Sequence, residues 1–151
     1  MLLALSRLRP HETGQSGHYA CVAIESAQQF GAHLASLVEL EILQLPSGLW
    51  PVDAVEAKDL PGECLERLSG DAAADLLAMV SVLPWGEQAR CHIPRYGLRA
   101  QLHGGALLAL SICFECNNAR TFQDSDRGWF TFDGSSLEAT RLLERLRQAR
   151  S

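Results

Sequence analysis

The chain holds 151 residues, 47% of them hydrophobic and 21% charged, with a net charge of −5. That is one domain's worth of sequence, long enough to bury a single core, and its evenly spread apolar content excludes a disordered tail protein. No apolar run reaches the ~18 residues a membrane-spanning helix needs. With 13 basic side chains against 18 acidic ones, the clustered positive charge that phosphate contacts require is missing, so neither nucleic acid nor membrane is an expected partner.

The charge is uneven along the chain. Residues 1–87 carry twelve acids against four basic side chains, and residues 88–151 carry six against nine arginines. The opening Met1-Leu2-Leu3-Ala4-Leu5 runs straight into Arg7 and Arg9, which reverses the basic-then-apolar order of a signal peptide; a cytoplasmic protein is expected. Five cysteines are present, Cys21, Cys64, Cys91, Cys113 and Cys116. An odd count without an export signal predicts reduced thiols in place of a disulfide framework.

The elements follow in chain order. Residues 1–17 have loop composition and no assigned element, and Tyr19–Ile24 is a short apolar run rich in strand formers. Ser26 with Gln29 makes a capping box, opening a helix whose Phe30, Leu34 and Leu37 share one face. Val38, Leu40 and Ile42 alternate with Glu39 and Glu41, the pattern of a half-buried strand. Prolines and glycines punctuate residues 46–62 as an irregular connection, with Trp50 as its anchor on the core. Cys64–Ser69 reads as a further strand. Asp71 is placed as the N-cap of a helix with Leu76, Leu77, Val80 and Leu83 inward, stopped by Pro84.

The second half is more explicit. Leu98, Ala100 and Leu102 alternate with Arg99 and Gln101; beyond His103-Gly104-Gly105, the even-numbered residues from Leu108 to Cys116 alternate with their neighbours. Two such runs around a glycine turn predict a β-hairpin. Its register follows from keeping the even-numbered residues on one face, which sets Ala100 opposite Leu108 and His92 opposite Cys116. A bulge near Pro94 would put Cys91 there instead. Residues 119–127 read as a polar loop, Trp129–Phe132 as a last strand, and Ser135 with Glu138 as the capping box of a final helix. The predicted class is α+β: a single domain with a mainly antiparallel sheet, a C-terminal hairpin and about three helices packed on it.

Cys91, His92, Cys113 and Cys116 are the candidate site. The register gathers Cys91, His92 and Cys116, whereas Cys113, three residues from Cys116 on a regular strand, is expected on the opposite face. A zinc knuckle needs its CxxC on a tight turn, and Phe114-Glu115 reads as a strand dipeptide. A thioredoxin-type CxxC must open a helix. Structural zinc, dithiol redox chemistry, a Cys91–Cys116 disulfide and a Cys116–His92 nucleophile oriented by Asn117 or Asn118 all stay open beside the plainest expectation. That expectation is buried reduced thiols, no cofactor, and His92 satisfied by a backbone carbonyl.

Arg90-Cys91-His92-Ile93-Pro94-Arg95-Tyr96-Gly97-Leu98-Arg99, followed by Ser111-Ile112-Cys113-Phe114-Glu115-Cys116, resembles a group of small bacterial proteins. Their shared pattern is roughly R-C-F-x-P-R-H-G-[IL]-R, a short gap, then I-C-F-x-C. This chain carries His92 where the group usually has Phe, and Tyr96 where it has His. The resemblance covers residues 88–118 well; it implies the hairpin and no particular activity.

No phosphate loop, HExxH helix, GxSxG elbow or dinucleotide fingerprint occurs in the sequence. The functional expectation is therefore a small acidic protein-binding module without catalysis, an adaptor or a toxin-neutralising immunity protein, acting on a protein partner by charge and shape. Its contact surface would be Glu39 and Glu41 with Asp53, Glu56 and Asp59. The alternative is a Cys/His metal-binding or thiol-redox protein using Cys91, His92, Cys113 and Cys116.

Overall fold

Alternation of side chains along each strand explains most of the architecture. The computed structural model describes residues 24–47, 56–87 and 90–149. Its strands are β1 (Leu37–Gln44), β2 (Glu63–Ser69), β3 (Tyr96–Leu102), β4 (Leu107–Cys113), β5 (Asn118–Gln123) and β6 (Asp126–Thr131). They form one six-stranded sheet in the order β2-β1-β3-β4-β5-β6, every neighbouring pair antiparallel. A 3-10 helix over Ala27–Ser36, a single 3-10 turn over Ala57–Asp59, α1 (Gly70–Ser81) and α2 (Leu137–Arg147) complete it. The fold is α+β.

The three helices and one face of the sheet share the main core. Phe30, then Leu76, Leu77 and Val80 of α1, then Leu142 and Leu146 of α2 pack with Leu98, Ala100, Leu108, Leu110 and Ile112. The predicted register holds along the ladder, where Ala100 pairs with Leu108 and Tyr96 with Ile112, but the ladder ends there, so His92 is not paired opposite Cys116. The turn uses Gly104 and Gly105 at φ +89° and +88°, where other residues are strained.

The opposite face carries a smaller cluster of Leu43, Leu45, Ala57, Leu60, Ala109 and Phe122. Gly97 makes room for it, because a Cβ there would come within 3.0 Å of both Leu45 Cδ2 and Leu60 Cδ2. Leucines from the connection after β1 thus lie directly on the sheet.

Four expectations need correction. The loop placed at 119–127 is mostly β5 and the start of β6; its polar residues belong in a buried strand because they are satisfied, as where Thr121 Oγ1 donates to the Ile24 carbonyl at 2.7 Å. Helix α1 begins after Ser69, ahead of Asp71. Ser136, not Ser135, caps α2, its Oγ accepting from the Ala139 N–H at 3.1 Å, while Ser135 is held by Asp133 Oδ1 at 2.6 Å. The helix at Ser26 forms with the tighter 3-10 winding, and Ser26 N–H donates to Gln29 Oε1 at 2.9 Å. The segment 1–17, residues 19–23 of the run Tyr19–Ile24 (Cys21 among them), Trp50 and Asp53 lie outside the described residues.

Candidate functional site

Strand β4 stops at Cys113 and does not run on to Cys116. Residues 114–117 are a turn, closed by Asn117 at φ +56°, a left-handed conformation that Asn tolerates better than most residues. The CxxC therefore spans a tight turn, which corrects the strand reading of Phe114-Glu115. Its consequence is local: the Cys116 backbone N–H donates to Cys113 Sγ at 3.2 Å. Two sulfur-bearing residues expected on opposite faces are brought to one corner.

The segment before β3 lies across this corner. Cys91 is disulfide-bonded to Cys116, with Cα atoms 5.7 Å apart. This overturns the expectation of thiols all reduced; the turn simply places the two Cα atoms within bonding range. Among the described residues Cys113 and Cys64 are the free thiols. Cys113 and Cys116 are buried, whereas Cys91 is exposed.

His92 is held at both ring nitrogens. Asn118 Nδ2 donates to the Cys91 carbonyl at 2.7 Å, which turns its Oδ1 toward His92 Nδ1 at 2.6 Å. Because that oxygen only accepts, Nδ1 carries the hydrogen, and Nε2 accepts from the Ser111 hydroxyl at 2.8 Å. The expected backbone carbonyl partner is replaced by these two side chains. Burial pushes the His92 pKa below its ordinary value of 6.5; the Asn118 bond opposes this and the Arg120 charge adds to it. At neutral pH the imidazole is neutral.

Strand parity fixes where this lies. Ser111 and Cys113 alternate with Ile112, a residue of the main core, so His92 sits over the sheet face away from the helices. Arg95 extends the same strap: its carbonyl accepts from the Leu45 N–H at 2.9 Å, and its guanidinium pairs with exposed Glu115 at 3.1 Å.

The structure thus brings all four candidate cluster residues to one corner. With the disulfide closed and both imidazole nitrogens engaged, no group of three or more His, Cys, Asp or Glu among the described residues is arranged to hold a metal ion. Sequence reasoning missed Ser111, although a lone hydroxyl in the otherwise apolar Leu107–Cys113 stretch was a visible signal.

The acidic set is dispersed. Glu41 is flanked by Arg67 at 2.6 Å and Arg99 at 2.6 Å, and Glu39 meets Arg67 at 3.3 Å. These form a cross-strand row, since Glu41 lies opposite both Arg67 and Arg99. Glu56 pairs with Lys58 at 3.3 Å, and Asp59 is exposed on a short turn. Two large exposed side chains not singled out from the sequence, Trp85 and Trp129, rim one cleft with Leu83 and Phe130.

Among the described residues no helix is long and apolar enough to cross a membrane. In comparisons with known proteins, the chain matches no family model, no curated protein and no solved structure.

Proposed function

We propose that the chain is a thiol–disulfide protein whose working group is the Cys91–Cys116 bond. The observation that carries this reading is the difference in burial across the bond: Cys91 is exposed, its partner Cys116 is buried, and buried, reduced Cys113 lies at the start of the same turn. An incoming thiolate reaches the Cys91 sulfur first. It forms a mixed disulfide there and expels Cys116 as a thiolate into the corner that Cys113 shares. A second thiol then releases Cys91, so that two external thiols are oxidised and the protein bond is reduced. We place the chain in the cytoplasm, where the glutathione pool makes an accessible bond reversible.

Equilibration of the full chain in graded dithiol buffers, followed by a count of reactive thiols, tests this. The expected result is a reversible two-electron transition while near-UV circular dichroism stays native. A bond that opens only as the chain unfolds overturns the proposal and leaves a structural staple.

A second reading, the protein-binding module, is favoured by the tryptophan pair. Trp85 and Trp129 are 76% and 46% exposed, and Trp is among the residue types that dominate binding energy at interfaces. In this reading they, and not the arginine-paired Glu39 and Glu41, make the contact. A co-purifying partner lost in the Trp85→Ala/Trp129→Ala variant supports it; a partner retained by that variant, or none captured, removes it.

A further inference from the structure

Opening the disulfide would leave three thiols on one corner, and the thiol reading uses only two of them. We infer that Cys91, Cys113 and Cys116 of the reduced chain form a three-thiolate site for a thiophilic d10 cation of the zinc type, its fourth position left to solvent or an exogenous ligand. The inference rests on the proposed function only for the bond being openable, and it names a ligand that function does not require.

Three features of the corner carry it. Cys113 and Cys116 stand at CxxC spacing on a turn closed by the left-handed Asn117, the arrangement that lets both sulfurs of a knuckle converge on one ion. The Cys116 N–H already donates to Cys113 Sγ, 3.2 Å away, so the turn folds the two residues back onto each other. Cys91 is delivered to the same place by the strap, as its bond to Cys116 shows. Tetrahedral ligation at about 2.3 Å per sulfur sets ligand sulfurs about 3.8 Å apart.

Neither His92 nor Glu115 completes the set. Both His92 nitrogens are engaged by Asn118 and Ser111, and Glu115 is paired with Arg95. The balance is simple: an external dithiol or phosphine supplies two electrons to the disulfide, and the cation displaces the protons of the three thiols as it binds. Among the described residues the oxidised chain holds no such site, so metal binding at this corner is gated by redox state.

The test uses the full chain reduced with a phosphine under anaerobic conditions, desalted and titrated with Zn2+, with Co2+ as the spectroscopic substitute. The reduced protein is expected to retain one equivalent of Zn2+, to mask three of its five thiols and to show sulfur-to-cobalt charge-transfer absorption. The oxidised protein should retain none. Cys113→Ser, which leaves the disulfide intact, should weaken retention at least ~10-fold, and His92→Gln should leave the stoichiometry unchanged. Reduced, folded protein that takes up no Zn2+, or Cys113→Ser that retains it undiminished, overturns this inference alone. A bond that opens only on unfolding overturns it together with the thiol reading.

Discussion

Asn118 and His92 fix each other's orientation: the amide nitrogen is committed to the Cys91 carbonyl, so the amide oxygen faces Nδ1 and selects one imidazole tautomer. The same asparagine therefore fastens the strap and decides which ring nitrogen bears the hydrogen. Asn118→Leu should release both contacts and leave a half-buried imidazole without its acceptor, costing about 1–2 kcal/mol. Asn118→Asp should instead raise the His92 pKa, because a carboxylate favours the imidazolium. Nitrogen-15 NMR of the imidazole reads both effects, with hydrogen on Nδ1 expected in the unmodified chain.

The pH dependence follows from the direction of that shift. His92 is held below its ordinary 6.5 by burial first of all, and burial lowers His33 as well. Between the folded and unfolded pKa values the unfolded chain binds more protons, so stability rises with pH there. Unfolding free energy should accordingly fall as pH drops below 6.5 and level off once the folded imidazoles protonate. Urea melts across this range should show a weaker slope in His92→Gln; an unchanged slope would remove His92 from the account.

The disulfide contributes independently of its chemistry. It joins residues 25 apart, and closing a loop of that size is worth roughly 3.5 kcal/mol through the unfolded state. Cys91→Ser/Cys116→Ser should lower Tm by roughly 7–14 °C and still leave a folded domain, since the main core is built by the sheet and three helices. Thermal melts of the variant beside the reduced parent chain check this, and the two should agree.

Glu39 and Glu41 differ only by two positions but should respond very differently. Burial pushes the Glu41 carboxyl up, yet hydrogen bonds from Arg99 and Arg67 outweigh it and hold the group below the usual range. Glu41→Ala leaves the half-buried Arg99 without its carboxylate and should cost about 1–2 kcal/mol. Glu39→Ala loses one exposed contact, expected at under ~0.5 kcal/mol. Because a carboxylate with depressed pKa loses its contribution as pH falls through the folded value, the gap between the two variants should close in acid.

Parity made the sheet readable. Even-numbered apolar residues from Leu98 to Ile112 specify one face, and a glycine turn of fixed length then allows a single register, which is the observed one. Where parity lapses the reading failed. Strand β5 mixes Asn118, Arg120 and Thr121 with apolar residues, and only tertiary partners such as the Ile24 carbonyl show why polar groups are tolerated there. The site was half legible for the same reason. The register led to the expectation that Cys91, His92 and Cys116 cluster, but the ladder stops at Tyr96 and Ile112, and what brings them and Cys113 together is the turn in which Asn117 leaves strand geometry. No periodicity encodes a single left-handed residue. The sequence also could not show that Glu41 is neutralised, because Arg67 and Arg99 reach it from two different strands.

Whether Cys91 is the entry point of a reversible disulfide is decided most directly by incubating the folded chain with reduced glutathione at neutral pH, quenching with acid and mapping the adducts by mass spectrometry. The account predicts a glutathione adduct on Cys91, with Cys116 appearing as a thiol in the same molecules and the fold retained. Adducts found on Cys113 or Cys116, or a bond that stays closed until denaturant is added, would contradict it.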